Sequence, residues 1–212
     1  MIDELNNLVK YNNKIDDVDA WMDDFFDVME IDDEQKEKRK KVAFSIRESM
    51  LFLFSLMFTM AEASAWSYEV ALDSFRNEFR NAISQYFVID AFLENYIQDF
   101  TRKYLDTTID HLNKADASFF VSDDRATIGS ANESNSVVGY EELEEAKEDG
   151  YTMKRWRTQR DERVRKTHRE VEGKTIPIDD YFVVGDSLLY YPGDPEGSEE
   201  EIAGCRCVCE YL

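Results

Sequence analysis

The chain has 212 residues, of which 43% are hydrophobic and 13% aromatic, which is enough apolar material for a packed core and too much for a disordered acidic tail. Its 46 acidic residues exceed its 25 basic ones and leave a formal net charge of −21, which argues against non-specific attraction of the whole chain to nucleic acid or anionic lipid. All eight glycines and all three prolines lie after Thr127. Because these residue types interrupt helices, we predict long helices in the N-terminal part and a turn-rich C-terminal part.

The N-terminal part contains three apolar segments. Apolar residues recur at helical spacing from Ile2 to Met29 and predict an amphipathic segment whose other face is acidic. Residues 49–61 are uncharged but fall short of the roughly 20 residues that cross a bilayer, so we expect a helix buried on all sides rather than a membrane span. Apolar residues from Phe75 to Tyr104 predict one further long amphipathic helix.

The C-terminal part changes its pattern after Gly150, which is predicted to end a helix over residues 123–149. Residues 153–157 alternate as in a strand, and Asp161 is predicted to cap a short helix that Gly173 ends. Gly185 and the following Asp carry the turn chemistry of a tight β-hairpin between YFVV and SLLYY, and CRCVCEYL is predicted to be a terminal strand. The predicted fold class is therefore α+β, with a long-helix N-terminal bundle over residues 1–118 and a second domain over residues 119–212, whose compact α+β unit spans residues 151–212.

The cysteines are concentrated in the last eight residues of the chain. A strand would place Cys205, Cys207 and Cys209 on one side, and together with His168 they form a ligand set suited to zinc. The alternative is that the cysteines are small buried hydrophobic residues and that the histidine is hydrogen-bonded in the core. An odd number of cysteines makes a poor disulfide framework, and the N-terminus lacks a secretory signal, so we expect synthesis in a reducing cytoplasm.

Two further sequence features bear on function. A cysteine nucleophile with His168 as base and Asp161 or Asp179 as orienting carboxylate is conceivable, but thiols on a terminal strand suit that chemistry poorly. Residues 154–174 contain nine basic and four acidic residues. We expect these basic side chains to pair with the acidic faces of the chain rather than with phosphate.

The C-terminal region has an ordered motif. It begins with an arginine-alanine pair eight residues before a glutamate, continues through W…D-x-R-V-R-x-x-H, and closes with GCRC. The residues that carry it are Arg125, Ala126, Glu133, Trp156, Thr158, Asp161, Arg163, Val164, Arg165, His168, Gly173, Pro177, Asp179, Phe182, Gly204, Cys205, Arg206 and Cys207. Over residues 120–212 this order resembles the phage head morphogenesis family, the Mu F-like minor head proteins of tailed bacteriophages.

The resemblance implies a minor head protein at the portal vertex of a virion, made in the bacterial cytoplasm and acting in head assembly or in DNA packaging and delivery. Its partners would be the portal protein, the major capsid protein or both, near packaged DNA but without specific DNA binding, membrane or catalytic turnover. The motif residues would chiefly hold the module together. Competing classes are a toxin-like effector and a metal-dependent or thiol enzyme that uses His168 and the cysteines.

The chain departs from the family pattern at two places. Gly204 stands where relatives commonly have asparagine or a proline pair, and Arg165 and His168 stand where many have CxxC. A zinc site carried over from cysteine-rich relatives would keep only part of its ligands, and Cys209 is a candidate replacement.

Overall fold

The computed structural model describes residues 14–212, so the predicted apolar positions Ile2, Leu5, Leu8 and Val9 lie outside the described residues. The α+β class is confirmed, with long helices first and short antiparallel strands near the C-terminus. The helices are α1 (Val18–Asp27), α2 (Asp33–Glu62), α3 (Tyr68–Ser84), α4 (Ala91–His111), α5 (Ala117–Phe120), α6 (Asp123–Glu148), α7 (Lys166–Val171) and α8 (Glu199–Ile202). The strands are β1 (Met153–Arg157), β2 (Thr175–Pro177), β3 (Phe182–Val184), β4 (Ser187–Leu189) and β5 (Val208–Tyr211).

The residues group into two compact units. Unit 1 comprises the described residues up to Val18 together with Phe44–Ser130, and unit 2 comprises Asp19–Ala43 together with Ala131–Leu212. This division differs from the predicted boundary between residues 118 and 119. The reason is that α2 and α6 each contribute residues to both units, and an early segment of the chain joins the C-terminal one.

Unit 1 has an aromatic core shared by α3 and α4. Phe79 stacks on Phe100 with ring centroids 4.7 Å apart, and Phe75 lies 5.6 Å from Tyr104. The prediction of one long helix over this stretch is wrong, because the chain leaves the helix at Ser84 and begins a new one at Ala91. Asp90 caps the new helix by accepting a hydrogen bond from the Leu93 amide at 2.8 Å. This cap gives a partner to an amide that would otherwise have none, and it starts the helix without glycine or proline.

Helix α2 is less buried than its composition predicts. Met50, Leu53 and Met57 are fully buried, but Phe52 is 39% exposed and Ser55 is exposed, so the prediction of burial on all sides is wrong and the helix has a solvent-facing strip. By length and composition alone α2 could also cross a membrane, a test that core helices pass as well.

Unit 2 contains a three-stranded antiparallel sheet in the order β2-β1-β5 and a separate β3-β4 hairpin. The predicted hairpin is confirmed, since Val184 pairs with Ser187 across Gly185, whose φ is +57°. Trp156 and Phe182 are fully buried and form the centre of the core of this unit. The predicted helix over residues 123–149 is also confirmed to within one residue, with Gly150 at φ +85° after its end.

Two local predictions in unit 2 are wrong. Helix α7 begins at Lys166, and Asp161 does not cap it. Instead, the Asp161 carboxylate accepts hydrogen bonds from the amides of Arg163 and Val164 in a preceding turn. The terminal strand begins at Val208, so Cys205 and Cys207 belong to the segment that leads into it.

Candidate metal centre

Three side chains that could bind a metal converge in the core of unit 2. His168 comes from α7, and Cys205 and Cys207 come from the segment before β5. The Nδ1 atom of His168 lies 3.3 Å from Sγ of Cys207 and 3.7 Å from Sγ of Cys205. The three ligand atoms lie within 4.8 Å of one another, and all three residues are buried. Two thiol sulfurs and one imidazole nitrogen are ligands that zinc prefers.

The other ring nitrogen of His168 has a carboxylate partner. Nε2 lies 3.1 Å from Oε2 of Glu201 on α8, and the same oxygen accepts a hydrogen bond from the Thr167 hydroxyl at 2.8 Å. A proton on Nε2 that is donated to Glu201 leaves Nδ1 free to face the sulfurs. Metal-binding histidines commonly have this kind of carboxylate partner, which fixes their tautomer and orientation.

The turn of the β3-β4 hairpin packs against this carboxylate. A Cβ atom added at Gly185 would collide with Oε1 of Glu201 and contact Thr167. The positive φ of this glycine also belongs to the region that L residues rarely adopt. Glycine at position 185 is therefore what allows the hairpin to approach the partner of His168.

The electrostatics of the site favour a thiolate at Cys205. A hydrogen bond from Cys207 holds the pKa of Cys205 well below its usual range against the opposing effect of burial, and His168 adds to the lowering. The same hydrogen bond, together with burial, raises the pKa of Cys207. Burial opposes the charged form of His168, but the Cys205 hydrogen bond and charge, with Glu201, raise the pKa of this imidazole overall. A soft anionic ligand is thus already available to a cation.

The structure brings together His168, Cys205 and Cys207, but Cys209 lies outside the group of mutually close ligand atoms. Its side chain packs both against the cluster that contains Trp156 and Phe182 and against a second apolar cluster that includes Leu143 and Tyr191, and burial raises the pKa of its thiol to about 12. Cys209 belongs to β5, whereas the other two cysteines precede the strand.

The carboxylate partner of His168 is Glu201 and neither of the two aspartates predicted for that role. Asp161 binds the guanidinium of Arg206 through two contacts of 2.8 and 3.1 Å. The side chain of Asp179 is 82% exposed and lies 3.9 Å from Lys147. Glu201 could not be identified from sequence, since it is one of three consecutive glutamates and only the fold distinguishes it from the other two.

Several motif residues support the centre. The Trp156 ring packs edge-on against the His168 ring with centroids 5.5 Å apart, and the Gly173 amide donates to the Trp156 carbonyl at 2.8 Å. Arg163 lies 3.6 Å from Asp161, and Arg165 donates to the carbonyl of Ala203. Three motif residues lie elsewhere, with Arg125 in unit 1, Glu133 on α6 and Asp179 after β2.

Arg125 has a structural environment of its own in unit 1. Its guanidinium lies 3.9 Å from the centroid of the Tyr104 ring and donates to the Thr108 hydroxyl at 2.6 Å and to the Phe120 carbonyl. The side chain is 8% exposed. It joins α4, α5 and the start of α6 within unit 1, whereas the motif predicts that Arg125 helps to hold the C-terminal module together.

A small pocket of about 10 Å³ adjoins the three ligand residues and is also lined by Gln159, Arg163, Val164 and Arg206. Nε2 of Gln159 donates to the main-chain carbonyl of Arg206. Its Oε1 atom is buried and has no hydrogen-bond partner among the described residues. No sequence motif marks Gln159 as a site residue.

No protein-family model, no curated protein sequence and no solved structure matches this chain. The resemblance to the head morphogenesis family therefore stays a prediction from the motif.

Proposed function

We propose that this chain is a minor structural protein of the head of a tailed bacteriophage. It would reside at the portal vertex of the virion and act in head assembly or in DNA packaging and delivery, through contacts with the portal protein, the major capsid protein or both. The observation that supports the proposal is the convergence of the motif in unit 2. Trp156, His168 and Cys207 are in mutual contact there, and Asp161 and Arg206 form an ion pair beside them.

This arrangement suits a motif that maintains a folded module. Residues far apart in sequence meet here, and Trp156, His168, Cys205 and Cys207 among them are buried. A packed module of this kind is expected to present a rigid surface to partners. We therefore expect function through protein contacts and no catalytic turnover.

The basic residues of the motif region are also engaged within unit 2. Arg157 lies 2.9 Å from Glu30, Arg160 lies 2.9 Å from Glu172, and Arg163 lies 3.5 Å from Asp24. These contacts agree with the predicted pairing of basic side chains with acidic ones. They favour protein partners over phosphate, because a phosphate would have to compete with carboxylates already in place.

Co-purification tests the proposal. The full chain is co-expressed with the portal protein and, separately, with the major capsid protein encoded beside it, and the portal protein of an unrelated phage is the control. Co-elution from a sizing column with the matched portal or capsid protein is the expected result. A chain that stays monomeric, ignores both partners and is missing from assembled heads would refute the proposal.

We further propose that unit 2 binds one Zn²⁺ ion through Nδ1 of His168 and the sulfurs of Cys205 and Cys207. When bound, the ion would tie α7 to the segment before β5 and so contribute to the folding free energy of the unit. Glu201 holds the imidazole in the tautomer that such binding requires. The buried, closely spaced ligand atoms support this proposal.

Metal analysis of the purified full chain tests the zinc site. We expect one zinc per chain in the unmodified protein and in the matched control Cys209→Ser, and none in the double variant Cys205→Ser, Cys207→Ser. We also expect a chelator to lower the melting temperature of the first two proteins only. An unmodified protein that contains no metal, and whose melting temperature is unchanged by added zinc, would refute the site.

A thiol enzyme is the second candidate, because a sulfur, the two ring nitrogens of His168 and a carboxylate stand in the order used by cysteine nucleophiles. Against it, Cys205 and Cys207 are each only 3% exposed. Iodoacetamide distinguishes the two functions. Slow alkylation of the metal-loaded chain is expected, whereas rapid alkylation of one of these two cysteines at neutral pH would favour the enzyme.

A further inference from the structure

The proposed zinc site supplies three ligands, and zinc in proteins takes four. Cys209 lies outside the group of three mutually close ligand atoms. The Oε2 atom of Glu201 is already shared by His168 and the Thr167 hydroxyl. In the described part of the chain, no other cysteine, histidine or carboxylate joins the three ligand atoms. The fourth position must therefore be filled from another source.

The pocket beside the ligands points to that source. Its volume of about 10 Å³ is that of about one water-sized probe. Gln159 is one of the residues that line it, and the Oε1 atom of this side chain is a buried acceptor without a partner among the described residues. The orientation of this amide is set by the hydrogen bond from its Nε2 to the Arg206 carbonyl, so the acceptor cannot turn away without losing that bond. A buried acceptor of this kind needs a donor.

We propose that the zinc centre is open rather than closed. Its fourth ligand is a solvent molecule that donates a hydrogen bond to Gln159 Oε1 and exchanges with a small monodentate anion. This inference rests on the proposed zinc site and is independent of the proposed role in the phage head. Gln159 acts here as a positioning residue, because it touches the exchangeable ligand and is not itself a ligand of the metal.

The charge around the pocket defines the class of ligand. Arg163, Arg165 and Arg206 also line it. Arg163 and Arg206 pair with Asp161, whereas Arg165 donates to the main-chain carbonyl of Ala203, so it is chiefly the charge of Arg165 that favours an anion over a neutral or cationic ligand. The small volume excludes anything much larger than a few atoms. Three protein ligands with one exchangeable position are the arrangement of zinc sites that bind or activate small molecules, whereas purely structural sites have four protein ligands.

Cobalt substitution with azide as the probe tests the proposal on the full chain. Co²⁺ reports its ligand set through visible absorption bands, so a saturable change of these bands on addition of azide is the expected result for the unmodified protein. The same response is expected for Cys209→Ser, which shows that this thiol does not occupy the fourth position. Cobalt content is measured in each sample before the titration.

Two variants of Gln159 give opposite expectations. Gln159→Leu removes the acceptor that holds the solvent molecule, so azide should bind about fivefold more tightly, as expected for the loss of one hydrogen bond. Gln159→Glu places a negative charge beside the anion and should weaken azide binding. Circular dichroism of both variants checks that they are folded.

The outcomes separate the two proposals. A chain that takes up no cobalt and no zinc overturns both the zinc site and this inference. A chain with one cobalt whose bands ignore azide overturns only the open position. Equal azide affinity in the unmodified protein and in both Gln159 variants overturns the role of Gln159.

Discussion

Replacement of Lys154 by methionine is expected to stabilise the protein at neutral pH. Lys154 lies on the central strand of the sheet in unit 2 and is completely buried. Its Nζ atom has no hydrogen-bond partner among the described residues and lies 5.0 Å from the centroid of the Tyr190 ring and 5.6 Å from that of Phe182. Burial of this ammonium lowers its pKa from 10.5 to about 8.

The size of the effect follows from that pKa. The difference between 10.5 and about 8 corresponds to about 3 kcal/mol at 1.36 kcal/mol per pKa unit, and it opposes folding wherever the amine is charged in both states. Between these two pH values the unfolded chain holds the proton that the folded chain has released, so stability rises with pH. Methionine removes the charge and keeps the volume, and loss of the weak contact with the rings offsets part of the gain. We expect Lys154→Met to add about 2 kcal/mol at pH 7.

Urea unfolding at pH 7, 8 and 9.5 measures this difference, with Lys166→Met as the control because the Lys166 side chain is 90% exposed. The advantage of Lys154→Met should shrink as the pH rises, and the control should show no such trend. Other groups that titrate in this range are common to both proteins and cancel in the comparison. A variant that is less stable than the parent at pH 7, or whose advantage is the same at all three pH values, would refute the reasoning.

Five further substitutions test contacts within each of the two units by urea unfolding. Arg39→Ala and Glu142→Ala should each lower the free energy of unfolding by about 3 kcal/mol, because the pair makes two contacts of 2.7 Å and each change leaves a buried charge. Additive losses in the double variant would contradict this expectation. Gly185→Ala should lower the free energy of unfolding more than Gly150→Ala does. Both glycines have positive φ, but only a Cβ at position 185 would meet another side chain, that of Glu201 beside the metal centre. Equal losses in the two variants would contradict that contact. Arg125→Met should cost about 2 kcal/mol through its lost hydrogen bonds, and a loss below 0.5 kcal/mol, the usual range for surface changes, would show that they contribute little.

The short elements of unit 2 could be predicted from sequence because their determinants are local. Alternation over residues 153–157 and the turn chemistry at Gly185 specify a strand and a hairpin without reference to the rest of the chain. The break before Ala91 could not be predicted from glycine and proline. Helix α3 ends at Ser84 and Asp90 caps the start of α4 with neither residue type between them, so the continuous apolar pattern concealed the break.

The candidate site could be predicted only in part. His168, Cys205 and Cys207 can be recognised as potential metal ligands from their residue types, whatever fold they belong to. Glu201 and Gln159 cannot be recognised in this way, because their roles depend on which side chains the tertiary structure directs towards the ligands. A continuous strand predicts Cys209 on the same side as the other two thiols, but β5 begins only at Val208 and Cys209 is not among the mutually close ligand atoms.

The net charge of −21 acquires a more specific meaning once the ion pairs of unit 2 are known. Of the nine basic residues between positions 154 and 174, Arg155, Arg157, Arg160, Arg163 and Lys166 each lie within 4 Å of a carboxylate. Exposed pairs of this kind contribute little stability, about 0 to 1 kcal/mol each, but they locally neutralise the positive charge of residues 154–174. A nucleic acid would have to displace these carboxylates and approach a strongly acidic chain, whereas a protein surface that is neutral or basic meets neither obstacle.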